Sequence, residues 1–499
     1  MESIGHRIAD LRQRVGLTQS DLAKKLQTTQ SAVARMEAGK QNVSADMLKR
    51  VSQALGKNLI TLSPGTVNVE IDGGTKLSGT IETNTSKNGA VGLLCAALLN
   101  QGTTTLRRMP RIEEVYRLVE VLESIGVKLE WRGSDLTITP PKTFNLSKID
   151  VEAARKTRSI VMFIGPLIHY LSHFSLPQSG GCKLGSRTVR PHFYALEHFG
   201  VDIEATSDSY AVSKQPATPR EIILYESGDT VTENALMAAA RYPGTVTIKY
   251  ASANYMVQEL CTFLTHLGVS IDGIGTTTLT VTGNPDIATD IEYTLAEDPT
   301  DSMFFLSAAA VTHSAITITR CPIEFLELEL LVLEKMGFAY KKSAPYTGEN
   351  GQVQLVDITT KPSKLTAPPE KVHSRPYPGI NADNLPFFAV IATQAEGQTL
   401  IHDWMYEKRA IYFTELDKLG ADTVLADPHR IFISGPTKLR AAELVCPPAL
   451  RPATIILIAM LGAPGRSVLR NIYSINRGYE NLVDRLTSLG ANIRYLEEF

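Results

Sequence analysis

The chain is poor in the residues that announce a special environment. It holds five cysteines and two tryptophans in 499 residues. The cysteines are odd in number and form no CxxC pair, which argues against a disulfide framework or a thiolate zinc site and for a reducing compartment. The longest apolar run, near "ATIILIAMLGA", falls short of the roughly 20 residues that a bilayer-spanning helix needs. The opening "MESIGHRIADLRQRVG" lacks the apolar centre of a signal peptide. These exclusions predict a cytoplasmic protein with no membrane partner, and no residue pattern calls for a metal or a cofactor. The length predicts several domains or one large repeated architecture.

Charge is nearly balanced, with a net of −2, but unevenly placed: residues 1–60 hold ten Lys+Arg against five Asp+Glu, and the remainder 40 against 47. A small basic head on an acidic body suggests two functions on one chain. In the head, "GLTQSDLAKKLQTTQSAVARMEAGKQ" predicts a helix capped by Thr18 with Asp21 returning the bond, and a second helix from about Thr29. Gly39 stands where a helix C-cap glycine belongs. Val33 and Met36 would face a core and leave Gln30, Ser31 and Arg35 outward, types that bond base edges or phosphates. The pattern "LTQxxLAxxL…QSxVxxxExG" resembles the Cro/repressor helix-turn-helix family. The resemblance implies an all-α domain over 1–62, duplex DNA as a partner and a homodimer, because one such unit reads only a half-site. A helical module used only for assembly is the other reading.

"LSPGTVNVEIDGG" marks the boundary, with Pro64 and Gly65 ending the helical region. Beyond it the chain repeats itself. "LESIGVKLE", "LEHFGVDIE", "LTHLGVSID", "LEKMGFAYK", "LDKLGADTV" and "LTSLGANIR" each place a helix end before a glycine and a strand after it. The glycines are Gly126, Gly200, Gly268, Gly337, Gly420 and Gly490, at a spacing that means an architecture. Upstream of five copies lies an alanine-rich helix running into a strand, as in "SAAAVTHSAITI". In the second copy "LPQSGGCKLGSRTV" occupies that place.

A unit that breaks its own pattern is a functional-site candidate. Here the break sets Cys182 behind two glycines and among Lys183, Arg187, Arg190 and His192, whereas Cys95 and Cys261 sit in apolar runs. Neighbouring cations stabilise a thiolate. Other candidates come from distant repeats: Lys87 and Asn88 of "SKNGA" at a predicted helix start, where free backbone N–H groups assist anion binding, then Arg158, Arg409, Arg451 and Arg477. Asp383 in "YPGINADNLPFF" lies between turn residues and a helix.

The motifs "SKNGA", "LPQSGGCKLGSR", "YEKR", "ALRP" and "NRGYENLVDRLTSLGANI", scattered in order over 67–499, resemble the enolpyruvyl transferases, and most the branch that acts on UDP-N-acetylglucosamine at the entry to peptidoglycan precursors. The shikimate 3-phosphate branch has no cysteine loop. The resemblance implies an α/β fold, a two-lobed inverse α/β barrel of six βαβαββ-type repeats, with the site between lobes formed by 87–284 and by 67–86 with 285–499. It implies phosphoenolpyruvate as one substrate and a uridine nucleotide or nucleotide sugar as the other. It also implies Cys182, Asp383 and Lys87 as catalytic residues and Asn88, Arg158, Arg187, Arg409, Arg451 and Arg477 as substrate-binding ones. Asp383 would take the acceptor's hydroxyl proton, and Cys182 would act as acid or transient nucleophile, open to alkylation by the epoxide fosfomycin.

The chain departs from that template at the acceptor. Arg190 and Ala449 stand where the nucleotide-sugar enzymes carry aspartates, and no lysine for a diphosphate is evident around "YESGDTVTEN". An added arginine would suit a phosphate placed differently, as in uridine monophosphate. Three readings stay open: transfer to UDP-N-acetylglucosamine, transfer to another nucleotide in nucleoside antibiotic biosynthesis, and a DNA-binding regulator whose enzyme-like body senses a metabolite.

Overall fold

The computed structural model describes residues 67–178 and 188–496, the stretch 17–38, and Ile8, Ala9, Arg12, Met47, Arg50, Val51 and Ala54. In the head, Thr18 caps the helix Gln19–Leu26 in a complete capping box with Asp21, and Thr29 caps Gln30–Glu37. Between them Gln27 adopts a left-handed conformation, φ 52°. Leu22, Leu26, Val33 and Met36 bury together with Ile8 and Val51. Gln30, Ser31 and Arg35 are exposed, the face expected of them, while the Gly39 cap lies outside the described residues.

The body shows why the six glycines recur. Each has a left-handed φ, between +75° and +101°, a conformation glycine adopts at no steric cost and other residues rarely do. Each ends a helix and feeds the edge strand of one of six sheets found among the described residues. Gly126, for example, follows Glu113–Ser124 and precedes Lys128–Arg132. Most edge strands turn back as hairpins, but the last, Asn492–Leu496, pairs antiparallel with Asn68–Gly73 at the start of the body. The unit that carries the Gly-Gly-Cys segment has a three-stranded sheet, whereas the other sheets have four or five strands.

Two strands change places between units. Ser78–Glu82 precedes the helix Lys87–Ala96 yet pairs in parallel with Ala315–Pro322. Ile291–Thr294 precedes the helix Pro299–Val311 yet pairs in parallel with Thr104–Arg107. The connecting segments run side by side, with Ser86 N–H donating to Ala296 O at 2.8 Å and Asp298 N–H to Asn84 O at 2.8 Å. One hydrophobic core draws on residues from Ala90 to Leu295 and another on Val69 to Ile81 with Met303 to Ile493. The chain therefore changes core between Leu295 and Met303, and the expected boundary at 285 lies before the strand that completes the first lobe's sheet.

The alanine-rich helices are the inner layer. Every residue of Pro299–Val311 and of Leu385–Ala392 is buried, and these two pack on each other and on Leu450–Gly462. A helix apolar all round must be covered on every side, here by partner helices within and sheets without. In the first lobe Lys87–Ala96, Asp229–Ala240 and Tyr255–His266 pack in the same way. Among the described residues no helix is long and apolar enough to cross a membrane.

Candidate active site

Lys87 and Asn88 open the first-lobe helix Lys87–Ala96, whose N-cap Ser86 accepts from Gly89 N–H. The adjacent Lys87 N–H points at Asp298 Oδ2, 3.3 Å away. The protein's own oxygens thus take up these two N–H groups, and the helix start is less open to a bound anion than the sequence suggests. The Lys87 ammonium instead reaches Asn88 Oδ1 at 3.2 Å, and Asn88 donates to the Tyr255 hydroxyl at 3.1 Å. Burial lowers the Lys87 pKa, with Arg477 and Arg451 adding to the shift and Glu114 and Asp383 opposing it.

Asp383 arrives from the second lobe, just before Leu385–Ala392, its backbone N–H held by Asn381 Oδ1 at 2.8 Å. Arg451, the second residue of Leu450–Gly462, donates through Nη2 to Asp383 Oδ2 at 3.1 Å and through Nη1 to the Tyr479 hydroxyl at 2.9 Å. Arg409 is fully buried, ion-paired with Asp403, and donates to Ala382 O at 2.7 Å. Burial alone would raise the Asp383 carboxyl, but Arg451, Arg409 and Lys87 outweigh it and hold the pKa down at about 2. A carboxylate that stays ionised while half-buried among three cations can accept a proton from a neighbouring hydroxyl only in competition with them.

Arg477 closes the group from the far end of the chain. Its Nε lies 3.1 Å from Glu114 Oε2, and Glu114 Oε1 accepts from Thr157 Oγ1 at 2.6 Å. Burial opposes ionisation of Glu114, yet Lys87, Arg477 and two hydroxyls keep its pKa below the usual value. Arg158 donates to Thr188 O at 3.1 Å. Lys87, Asn88, Asp383, Arg158, Arg409, Arg451 and Arg477 all line one cleft of about 900 Å³ whose walls come from both cores. Cys182 and Arg187, and with them Lys183, lie outside the described residues. Arg190 is exposed at the start of Arg190–Glu197 and Ala449 is buried; neither lines the cleft.

Several cleft residues escaped the sequence reading. Glu114 in the cleft wall and the fully buried Asp403 outside it anchor two of the cations, and Asp229, Asn254, Glu329 and Asn381 also line the cleft. Asp229 accepts from Ser252 Oγ at 2.6 Å and from Asn254 Nδ2 at 3.2 Å. Asn254 Oδ1 then meets Asn381 Nδ2 at 3.5 Å, from the other lobe. The segment "YESGDTVTEN" did carry a signal, since it sets Glu226, Asp229 and Glu233 on one cleft wall. The remaining cysteines, Cys95, Cys261, Cys321 and Cys446, are buried, and burial pushes the last three thiols up to about 12, so that they are inert.

Comparison with known proteins bears on both parts of the chain. Residues 71–486 match the family model described as EPSP synthase (3-phosphoshikimate 1-carboxyvinyltransferase), and residues 8–62 match a helix-turn-helix model. The UDP-N-acetylglucosamine 1-carboxyvinyltransferase of Treponema denticola is 34% identical over 432 residues, covering 86% of this chain and 99% of that protein. The enzyme of the same name from Bradyrhizobium diazoefficiens is 32% identical over 428 residues, covering 86% and 98%. Among solved structures, the enolpyruvyl transferase NikO from Streptomyces tendae has a TM-score of 0.73 at 25% identity, covering 87% of this chain and all of that one. EPSP synthase from Acinetobacter baumannii has a TM-score of 0.68 at 16% identity over the same share, a likeness of fold.

Proposed function

Because the chain belongs to the enolpyruvyl transferase family, we propose that the cleft moves the enolpyruvyl group of phosphoenolpyruvate to a hydroxyl of a uridine nucleotide or nucleotide sugar and releases phosphate. The observation that carries this reading is the convergence on Asp383 of Arg451, Arg409 and Lys87 from both lobes. Phosphoenolpyruvate brings a phosphate and a carboxylate, and fixed cations in a partly closed cleft suit both. The acceptor oxygen attacks C2 as Asp383 takes its proton, and C3 gains a proton from an acid, the role assigned to Cys182 on the resemblance. The tetrahedral intermediate then loses phosphate from C2 and a proton from C3, which restores the vinyl group. Asn88, held beside Lys87, orients the acceptor, and closure of the lobes excludes water. UDP-N-acetylglucosamine, the acceptor in the name of the relatives, is the first to test. Phosphate release measured with phosphoenolpyruvate and a panel of uridine nucleotides decides the reading; no release with any of them would sink it.

The head supports a second activity, in the same cytoplasmic chain. It matches a helix-turn-helix model, and its exposed Gln30, Ser31 and Arg35 lie on one helix. We infer that two chains pair and present these helices to successive half-sites of duplex DNA.

A further inference from the structure

Away from the residues that line the cleft, one joint ties the two lobes together. Arg108 follows the first-lobe strand Thr104–Arg107, Arg320 lies in the second-lobe strand Ala315–Pro322, and the two hold equivalent places in "LRRMP" and "ITRCP". Both are left-handed, with φ of +57° and +60°, a conformation that a residue other than glycine keeps only where its surroundings impose it. Those surroundings match: Arg108 N–H donates to Asp135 Oδ1 and Arg320 N–H to Asp357 Oδ1, each at 3.1 Å and each to the neighbouring strand. The two guanidinium groups then meet on one atom. Arg108 Nη1 donates to Glu297 Oε1 at 2.9 Å, and Arg320 Nε and Nη2 donate to the same oxygen at 2.9 and 2.6 Å. Glu297 is 2% exposed. Glu82 and Glu349, which flank the arginines, are more than half exposed, and ion pairs so open to water contribute little.

Glu297 sits where the chain crosses from one core to the other, bridged to Thr85 of the second crossing segment. Successive side chains of an extended segment point to opposite sides: Glu297 reaches the arginine pair, while Asp298 Oδ2 accepts from Lys87 N–H at 3.3 Å. We propose that Glu297 is a positioning residue for the transfer, a pin shared by one arginine from each lobe that fixes how the lobes meet and, through Asp298, where Lys87 stands opposite Asp383. The proposal rests on the transfer reading above. Without the carboxylate the two guanidinium groups would repel each other across the joint, and the crossing segments could slide as well as turn. A site assembled from two lobes is sensitive to such a slip, since a misplacement of about 1 Å can cost roughly 100-fold in rate.

The full chain tests this, with phosphate release followed well below the melting temperature. Glu297→Leu should lower kcat by at least about tenfold and change the KM for phosphoenolpyruvate less, because the groups that bind are kept and only their alignment is lost. Arg108→Met and Arg320→Met should each give most of that loss, and the double variant little more than either, since a pin held from one side fixes nothing; should Glu297→Leu not fold, these variants carry the same test. Amide exchange at Ser86 and Asp298, whose N–H groups bond the crossing segments together, should quicken by about tenfold or more in every variant. Full kcat in Glu297→Leu with a lowered melting temperature, or losses from the two arginines that simply add, would make Glu297 a structural residue and overturn the proposal. If the wild type turns over no uridine nucleotide, the transfer reading fails, and amide exchange alone decides the joint: faster exchange supports it and unchanged exchange overturns it.

Discussion

Arg451 Nη2 lies 3.1 Å from Asp383 Oδ2, and the same guanidinium donates through Nη1 to the Tyr479 hydroxyl. The arginine is thereby fixed in position before any substrate arrives, and it holds the carboxylate ionised.

Asp383→Asn keeps the shape of the site and removes the proton acceptor. Turnover should fall roughly 100-fold or more, the range of general-base effects, with phosphoenolpyruvate binding little changed. Asp383 has its folded pKa depressed to about 2 from 3.8. Its contribution to stability is therefore present above about pH 4 and is lost as pH falls through 2. Acid denaturation of the variant should lose that part of the pH dependence; a wild-type profile would show that the carboxylate is not held as described.

Arg477 and Glu114 pair between the lobes, and Glu114 is buried. Removing one partner of a buried pair typically costs about 3–5 kcal/mol because the other charge is left behind. Arg477→Ala should lower the melting temperature and raise the KM for phosphoenolpyruvate. Adding Glu114→Gln should recover stability but not the KM. Joint recovery of both would make Arg477 a purely structural residue.

The six left-handed glycines and the alanine-rich helices were legible because each is a local requirement: a helix stop needs its αL residue, and a helix buried on all sides is apolar along most of its length. The exchange of Ser78–Glu82 and Ile291–Thr294 between sheets was not, since parallel pairing over more than 180 residues leaves no local mark. The same holds for the site. Asp383 and the arginines could be picked out by motif, but Glu114 and Asp403 are recognisable only once the fold sets them against Arg477 and Arg409.

Glu259 offers a readout of the junction between lobes. Its Oε1 accepts from Ala296 N–H at 2.6 Å, and burial, with Glu297 and Asp298, pushes its pKa up to about 8. A raised carboxyl stabilises the fold fully below its unfolded value of 4.5 and loses that contribution as pH rises towards 8. Stability should therefore decline across this window by at most about 1.4 kcal/mol per pH unit, and Glu259→Gln should flatten the decline. Denaturant melts at pH 5, 6.5 and 8 measure it; an unchanged slope in the variant would place the titration elsewhere.

Cys182→Ala should lower turnover at least about tenfold, as expected for loss of a proton donor, and abolish inactivation by fosfomycin. Cys182→Asp can still donate a proton but cannot be alkylated at sulfur, so it should stay active and resist the epoxide. That outcome would separate the acid role from a nucleophilic one, and wild-type turnover in Cys182→Ala would remove the residue from the mechanism.

Gln30 ties recognition to the stability of the head. Its Nε2 donates to Gln19 Oε1 at 2.7 Å, and Gln19 donates to Glu37 at 2.8 Å. Glu37 is buried and doubly bonded to Arg12 at 2.6 and 3.0 Å. Gln30→Ala thus removes an exposed amide and one of the two hydrogen bonds of the Gln19 side chain, whereas Arg35→Ala removes only an exposed cation. Both should weaken binding to duplex DNA and leave phosphate release unchanged, because the head buries its own core. The affinity should drop steeply with salt, with a slope that becomes shallower by about one in Arg35→Ala if the guanidinium meets a phosphate. Glu37→Ala should instead unfold the head, leaving the Arg12 guanidinium buried without its counter-charge and held only by Leu17 O. A selection from random duplexes at physiological salt that returns no preferred sequence would favour a module for assembly over a reader of DNA.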